Sequence, residues 1–357
     1  MRAGLDDYLR AAVTAGASDL HISAGLPPMV RVDGRLTALD GPGLTGETTE
    51  ALLGPVLTGE QRRRLEAELE LDFAYALPDG PRFRGNAYFG RGAVGAAFRV
   101  VPEEVPPLDG LGLPPVVGEL TRRRRGLVLV TGPTGSGKST TLAAMLGEIN
   151  RSTSGRIVTV EDPIEFVHRH GGGVVTQREV GLDTRSFARA LRQALRQDPD
   201  VILVGEMRDL ETISLALTAA ETGHLVLATL HTRGAPQAVD RIVDVFPPHQ
   251  QGQVRTQLAD ALEAVVAQTL LPLRAGGRVA ACEVLVATPA VRHMIREGKG
   301  HQVRSAMQTG RQAGMIPMET SLARLVERGL VSPAEAAQRS DDPEELRRLS
   351  GSAGPGA

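Results

Sequence analysis

The segment Gly132-Pro133-Thr134-Gly135-Ser136-Gly137-Lys138-Ser139, followed by Thr140, constrains the fold of this chain more than any other feature. It satisfies G-x-x-x-x-G-K-[ST] in full. It stands between the apolar run GLVLVTG, which begins at Gly126, and a stretch of helical pattern near Ser139–Arg151. In that context glycines let the backbone wrap a phosphate, while free N–H groups and the helix dipole point at its negative charge. Lys138 is placed to reach the β- and γ-phosphates of ATP, and Ser139 to offer its hydroxyl to Mg²⁺. Three further near-continuous apolar runs follow, GRIVTVED, DVILVGE and HLVLATLH. Strands buried on both faces read this way. Helical stretches near Arg185–Arg196, Leu210–Glu221 and Ala235–Val245 separate them. Strand–helix alternation predicts an α/β domain with a parallel sheet. A further helical region is expected from about Gln253 onward, and a disordered end at SGSAGPGA.

Residues 1–103 have a different texture. DLHIS, PMVRVDGRL, RFRGNAYF and VGAAFRVV read as short strands bounded by Gly, Pro and Asp, and Leu5–Ala15 and Gly59–Leu69 as helices. This predicts a smaller α+β domain with a mainly antiparallel sheet. Between the two textures, residues 102–117 hold five prolines and two glycines. Proline stiffens the chain and removes donors, so a linker is expected over 104–117. The chain of 357 residues has room for two domains. A net charge of −2 gives no electrostatic case for a nucleic-acid partner. One cysteine, Cys282, excludes a disulfide framework or a Cys-based zinc site within the chain and fits a reducing compartment. No run approaches the length of a membrane span, so a cytoplasmic protein that meets the membrane only through partners is expected.

Acids end two of the apolar runs. Glu161 and Asp162 sit at the carboxyl end of one strand, where open α/β sheets bind ligands. They either orient Mg²⁺ and the attacking water, or Asp162-Pro163 only shapes the loop. Glu206 ends the run Asp200–Glu206, with Gly205 where such strands usually carry an Asp. It is a candidate to hold the metal's water shell or to polarise the nucleophilic water. Arg208 and Asp209 either report nucleotide state or pair with each other. His224 and His231 bracket the last strand. Their odd separation puts them on opposite faces of a regular strand, so they are poor co-ligands for one metal. His231 lies at the carboxyl end, where a γ-phosphate belongs. His224 lies at the other end, as a structural group or a bridge to a neighbouring subunit.

Arginines need a separate account. Arg185, Arg189, Arg192 and Arg196 share one helix face, either solvated or a subunit contact. Arg122–Arg125 reads as a solvated charge run. Arg82, Arg84 and Arg99 flank apolar strand residues of the first domain. An arginine set against a γ-phosphate stabilises transferring charge.

Together these segments resemble the PilT-type retraction ATPases of type IV pili, within the secretion-superfamily ATPases. ASDLHISAGLPPMVRVDG resembles the start of their PAS-like N-terminal domain, and RFRGNAY and AAFRVVP its arginine-bearing strands. GPTGSGKST resembles their Walker A segment and VTVEDPIEFVH their Asp box. DPDVILVGEMRDLETISLALTAAETGHLVLATLHT resembles their Walker B and His box, and VRHMIREGK and HQVRSAMQTG two segments near their C-terminus. The resemblance implies a RecA-like ATPase domain over 118–345 with C-terminal helices, a PAS-like domain over 1–103, and a tail over 346–357. It implies a homohexameric, Mg²⁺-dependent ATP hydrolase that pulls pilin subunits out of a pilus, docked on an inner-membrane platform protein. Glu206 is then the catalytic acid, supported by Glu161. Asp162, Ser139 and Glu206 attend the metal, His231 reads the phosphate, and Arg82, Arg84, Arg99 and His224 serve nucleotide from other surfaces. The sequence departs from the family wording at VRHMIRE and at Ile316-Pro317, where Gln-Thr is usual. Alternatives are a related motor for DNA uptake or protein secretion, and a nucleotide-gated assembly protein with little turnover.

Overall fold

A computed structural model describes residues 4–32, 34–78, 80–102 and 104–351. Two compact units divide between Glu104 and Val105.

The first unit runs α1 (Leu5–Thr14), β1 (Asp19–Ile22), β2 (Met29–Val32), β3 (Arg35–Ala38), α2 (Gly46–Leu53), α3 (Gly59–Glu68), β4 (Glu70–Ala76), β5 (Arg82–Gly90) and β6 (Ala93–Val100). Its strands form one antiparallel sheet in the order β3-β2-β1-β6-β5-β4. Leu5, Leu9 and Ala12 recur at helical spacing, and α1 buries all three against the sheet. A capping box starts α3: Gln61 N–H donates to Thr58 Oγ1, and Thr58 N–H donates to Gln61 Oε1. Phe73 and Phe98 meet edge to face at 5.8 Å and centre the core. The short helix α2, capped by Thr45, and the strand β4, whose Leu71, Phe73 and Tyr75 alternate toward the core, are additions to the expected elements.

The second unit runs α4 (Pro115–Leu120), β7 (Gly126–Thr131), α5 (Lys138–Ser152), β8 (Arg156–Glu161), β9 (Val174–Glu179), α6 (Phe187–Ala194), β10 (Val201–Val204), α7 (Leu210–Glu221) and β11 (Leu225–Leu230). It continues through α8 (Ala235–Asp244), α9 (Pro248–Ala261), β12 (Leu262–Pro272), β13 (Arg278–Val286), α10 (Pro289–Arg296), α11 (Gly300–Thr309), α12 (Met318–Glu327), α13 (Pro333–Ala337) and α14 (Pro343–Leu349). The sheet order is β13-β12-β7-β11-β10-β8-β9. Every neighbouring pair is parallel except β12 with β13.

Period-2 alternation feeds two cores. Leu127, Leu129, Ile202, Val204, Val226 and Ala228 face the layer of α6 to α11. Val128, Val130, Val201, Leu203, Leu225 and Leu227 face the layer of α4 and α5. Burial on both faces is why these strands read as unbroken apolar runs.

Three expectations are corrected. Residues 262–286, expected helical, are the hairpin β12–β13. Val265 and Ala267 point to one core while Ala264 and Val266 point to the other, and Gly276 and Gly277 turn the chain with φ of 90° and 82°. The proline-rich segment expected as a linker is integral to the second unit: Leu108 and Val117 are buried in the core beneath α5. The tail expected from residue 346 is helical through Leu349, with Leu346 buried, and residues 352–357 lie outside the described residues.

Glu283 of β13 pins a helix start, accepting the Ala235 N–H at 2.6 Å. Burial pushes its carboxyl above the usual range and Glu319 adds to this, against the Ala235 and Met318 N–H groups and Arg304. With its folded pKa above its unfolded one, the group's favourable contribution is fully present below the unfolded pKa. It is lost as pH rises through the folded value. Glu283→Gln cannot titrate. Its urea-unfolding free energy relative to the native protein is therefore expected to rise as the pH is raised above the unfolded carboxyl's pKa and through the folded one. Parallel profiles would count against this assignment.

Candidate functional site

The carboxyl ends of β7, β8, β10 and β11 meet at a cavity of about 350 Å³ in the second unit. The glycine-rich loop forms one wall. Gly132, Gly135 and Gly137 have φ of 141°, 78° and 87°, the region that favours glycine. A Cβ on Gly132 would lie 2.3 Å from the Gln268 carbonyl oxygen and 2.6 Å from Ser136 Oγ, so this glycine also answers a close approach. Lys138 is buried and folds back over the loop, its Nζ donating to the carbonyls of Gly132 at 2.9 Å and Pro133 at 3.0 Å. Burial lowers its pKa, while Glu206 and Glu165 act in the opposite sense. Ser136 Oγ is buried and finds no partner among the described residues. A loop with a buried, unpaired hydroxyl, an ammonium resting on carbonyls and three glycines without side chains is a cradle for an anion.

The acids line the facing wall. Glu206 leaves β10 through Gly205, where a Cβ would stand 3.2 Å from both Glu161 Cα and the Val160 carbonyl oxygen. That approach between neighbouring strand ends favours glycine where an Asp was the commoner expectation. Glu206 Oε1 meets Arg208 Nε at 2.5 Å and His231 Nε2 at 3.0 Å. Burial pushes the Glu206 carboxyl up, but Arg208 and His231 together outweigh it and hold it below its ordinary value. Glu161 Oε1 accepts from Thr159 Oγ1 at 2.6 Å and from Gln177 Nε2 at 3.0 Å. Burial nonetheless raises its pKa. Asp162 is exposed at the cavity rim and Ser139 and Thr140 line the loop side. A hydroxyl and carboxylates are hard oxygen donors, which suit Mg²⁺. Among the described residues no group of three or more His, Cys, Asp or Glu is placed to hold a metal ion.

Of the predicted residues, the structure brings together Gly132 to Thr140, Glu161, Asp162, Glu206 and His231. His224 is not brought in. It lies at the opposite end of β11, where its Nδ1 donates to the Ala219 carbonyl at 2.9 Å and closes the end of α7. Arg208 and Asp209 do not pair: Arg208 holds Glu206, while Asp209 caps α7, accepting the Thr212 N–H at 2.9 Å. On the basic α6 face, Arg192 pairs with Glu211 of α7.

Arg82, Arg84 and Arg99 belong to the first unit. Arg84 lies opposite Arg99 in the ladder and Arg82 lies two residues along the same strand, so the three share a face. Asp19 offsets the like charge by pairing with Arg99 at 2.8 Å. The departures from the family wording have structural places too. Ile316 bridges β13 through Val284, and Arg292 anchors α10 to the carbonyls of Ala259, Asp260 and Ala287 and to Glu263.

Two glutamines escaped sequence reasoning, Gln177 behind Glu161 and Gln268 beneath the glycine-rich loop. For Gln268 the available signal was a polar pair, Gln268-Thr269, inside an apolar run (AVVAQTLL), since polar groups must find partners when buried; Gln177, in VVTQRE, carried no such signal.

Comparison with known proteins gives consistent findings. The family described as "Type II/IV secretion system protein" matches residues 115–275. The "Type IV pilus retractation ATPase PilT" of Pseudomonas aeruginosa is 50% identical over 340 residues, 95% of this chain and 99% of that protein. A "Twitching motility protein" of Neisseria gonorrhoeae is 50% identical over 321 residues, 89% of this chain and 86% of that protein. The "Crystal Structure of the Pilus Retraction Motor PilT and Bound ADP" matches with a TM-score of 0.91 at 49% identity, covering 97% of this chain and 100% of that one.

Proposed function

The chain belongs to the type II/IV secretion ATPases and, among them, to the PilT-type retraction ATPases, and from that premise we propose that it is a homohexameric, Mg²⁺-dependent motor that retracts type IV pili. It is an ATP-hydrolysing enzyme of that family. The observation that carries the catalytic reading is the arrangement of one cavity: an anion cradle with a buried Lys138 facing a carboxylate, Glu206, held ionised by Arg208 and His231.

In the proposed mechanism the loop N–H groups from Gly132 to Ser139 bind the phosphates. Lys138 exchanges its two carbonyl contacts for phosphate oxygens, which leaves its charge compensated in place. Ser139, Asp162 and Glu206 would hold Mg²⁺ and its waters, and the cation supplies neutralisation of charge on the β- and γ-phosphates. A carboxylate with a depressed pKa is a weak base but a good acceptor, so Glu206 chiefly orients the attacking water. His231, sharing Oε1 with Arg208, senses whether that carboxylate is engaged. Glu161 stays fixed by Thr159 and Gln177 and shapes the same wall. We assign Arg82, Arg84 and Arg99 the binding of nucleotide phosphate in the working assembly. Docking on a platform protein at the inner face of the membrane is part of the proposal. Among the described residues no helix is long and apolar enough to cross a membrane.

The test is ATP hydrolysis by the purified protein with and without a chelator, alongside its mass in solution. Six chains and hydrolysis lost on removing Mg²⁺ are expected. Full turnover in excess chelator would rule out the metal assignment, and a monomer in every nucleotide state would rule out the ring.

A further inference from the structure

We propose that Gln268 is a positioning residue of the glycine-rich loop: its amide fixes the Ser136–Gly137 peptide so that the Gly137 N–H is presented to the phosphate. This rests on the loop being the nucleotide site, as proposed above.

Gln268 lies on β12, whose Ala267 pairs with Thr131 at the end of β7. It therefore stands beside the point where the loop leaves the sheet. The residue is 1% exposed, and both polar atoms of its amide have a partner. Its Nε2 donates to the Ser136 carbonyl at 2.7 Å, and its Oε1 accepts from Thr141 Oγ1 at 3.0 Å. These partners determine the orientation of the amide. The Ser136 carbonyl can only accept, so Nε2 must face it, and the Thr141 hydroxyl must then donate to Oε1. Thr141 is itself buried in the first turn of α5.

The consequence follows from peptide geometry. In a trans peptide the C=O and the next N–H lie in one plane and point in opposite directions. Pinning the Ser136 carbonyl toward β12 turns the Gly137 N–H away from it. Gly137 is the last glycine before Lys138 and lines the cavity. Its φ of 87° is the backbone setting that this orientation uses. The main chain of Gln268 acts at the other end of the loop, its carbonyl standing 2.3 Å from where a Gly132 Cβ would lie. One residue of β12 thus sets both the first and the last glycine of the motif. A glutamine that only filled space in the core would not need its two polar atoms spent on the loop and on the helix that follows it.

Two variants test this. Gln268→Met keeps the length of the side chain and removes both hydrogen bonds. Thr141→Val keeps the glutamine and removes the hydroxyl that orients its amide. The probe is ADP, measured by equilibrium binding well below each protein's melting temperature. Gln268→Met is expected to weaken ADP binding about tenfold, since a loop carbonyl is left unpaired and free to turn. Thr141→Val is expected to weaken it by a smaller factor, and the double variant to bind no worse than Gln268→Met alone, because both changes release the same peptide. A lowered melting temperature with unchanged ADP affinity would mean a purely structural glutamine and would overturn the inference. Should Gln268→Met not fold, Thr141→Val decides alone, and unchanged affinity there overturns it equally. Failure of the native protein to bind ADP would instead remove the nucleotide site itself, and the two failures are thereby distinguished.

Discussion

Replacing Glu206 by Gln is expected to leave ATP binding intact and to cut Mg²⁺-dependent hydrolysis at least tenfold, about 1.4 kcal/mol of barrier. The substitution is nearly isosteric, but it removes the charge that Arg208 and His231 compensate. Folding should be little affected. Arg208 is 75% exposed on its side chain and His231 45%, so water replaces the lost partner at small cost. Binding should survive because the cradle, Lys138 and Ser139 belong to β7 and α5 rather than to β10. What is lost is the acceptor that orients water. Single-turnover hydrolysis beside equilibrium ATP binding separates the two effects. Equal hydrolysis rates would remove Glu206 from its role, and equal loss of binding would make it part of the cradle.

Gly132→Ala is expected to abolish nucleotide binding and to destabilise the fold by roughly 2–4 kcal/mol. The added Cβ meets a backbone carbonyl of β12 at 2.3 Å and finds φ of 141°. Neither can yield, since β12 is hydrogen-bonded between β7 and β13. Gly135 supplies the contrast within the same motif. Its φ is 78°, yet nothing lies within 4 Å of a Cβ there. Gly135→Ala should therefore cost only the left-handed backbone penalty, about 1–2 kcal/mol, and keep measurable ADP binding. Thermal unfolding and ADP titration of the pair distinguish steric exclusion from backbone strain. Indistinguishable variants would mean that the contact with β12 does not matter.

How much was legible in the residues varies along the chain. The runs that became β7, β8, β10 and β11 were legible because burial on both faces forces an unbroken apolar string bounded by turn residues. β12 has the same burial, but its string continues from α9 without a break, since α9 ends at Ala261 and β12 starts at Leu262. Short apolar runs carry no period that separates a buried strand from a buried helix. The proline-rich segment misled for a different reason. Its composition describes stiffness, whereas Leu108 and Val117 had a core to fill that composition does not reveal. Asp209 and His224 were chemically plausible site residues that helix α7 uses at its two ends.

The sequence by itself determined the glycine-rich loop, the parallel sheet that carries it, and the acids Glu161 and Glu206 at the strand ends. Each of these is a local pattern, in which residue type and spacing already contain the physics of turn, burial and charge. Only the tertiary structure decided what those groups rest on. Gln268 reaches Ser136 across 132 residues of chain, Gln177 reaches Glu161 across 16, and His231 and Arg208 converge on one oxygen of Glu206. Such partners are set by strand order and register, which bring distant segments side by side, and no local pattern records which segments those will be.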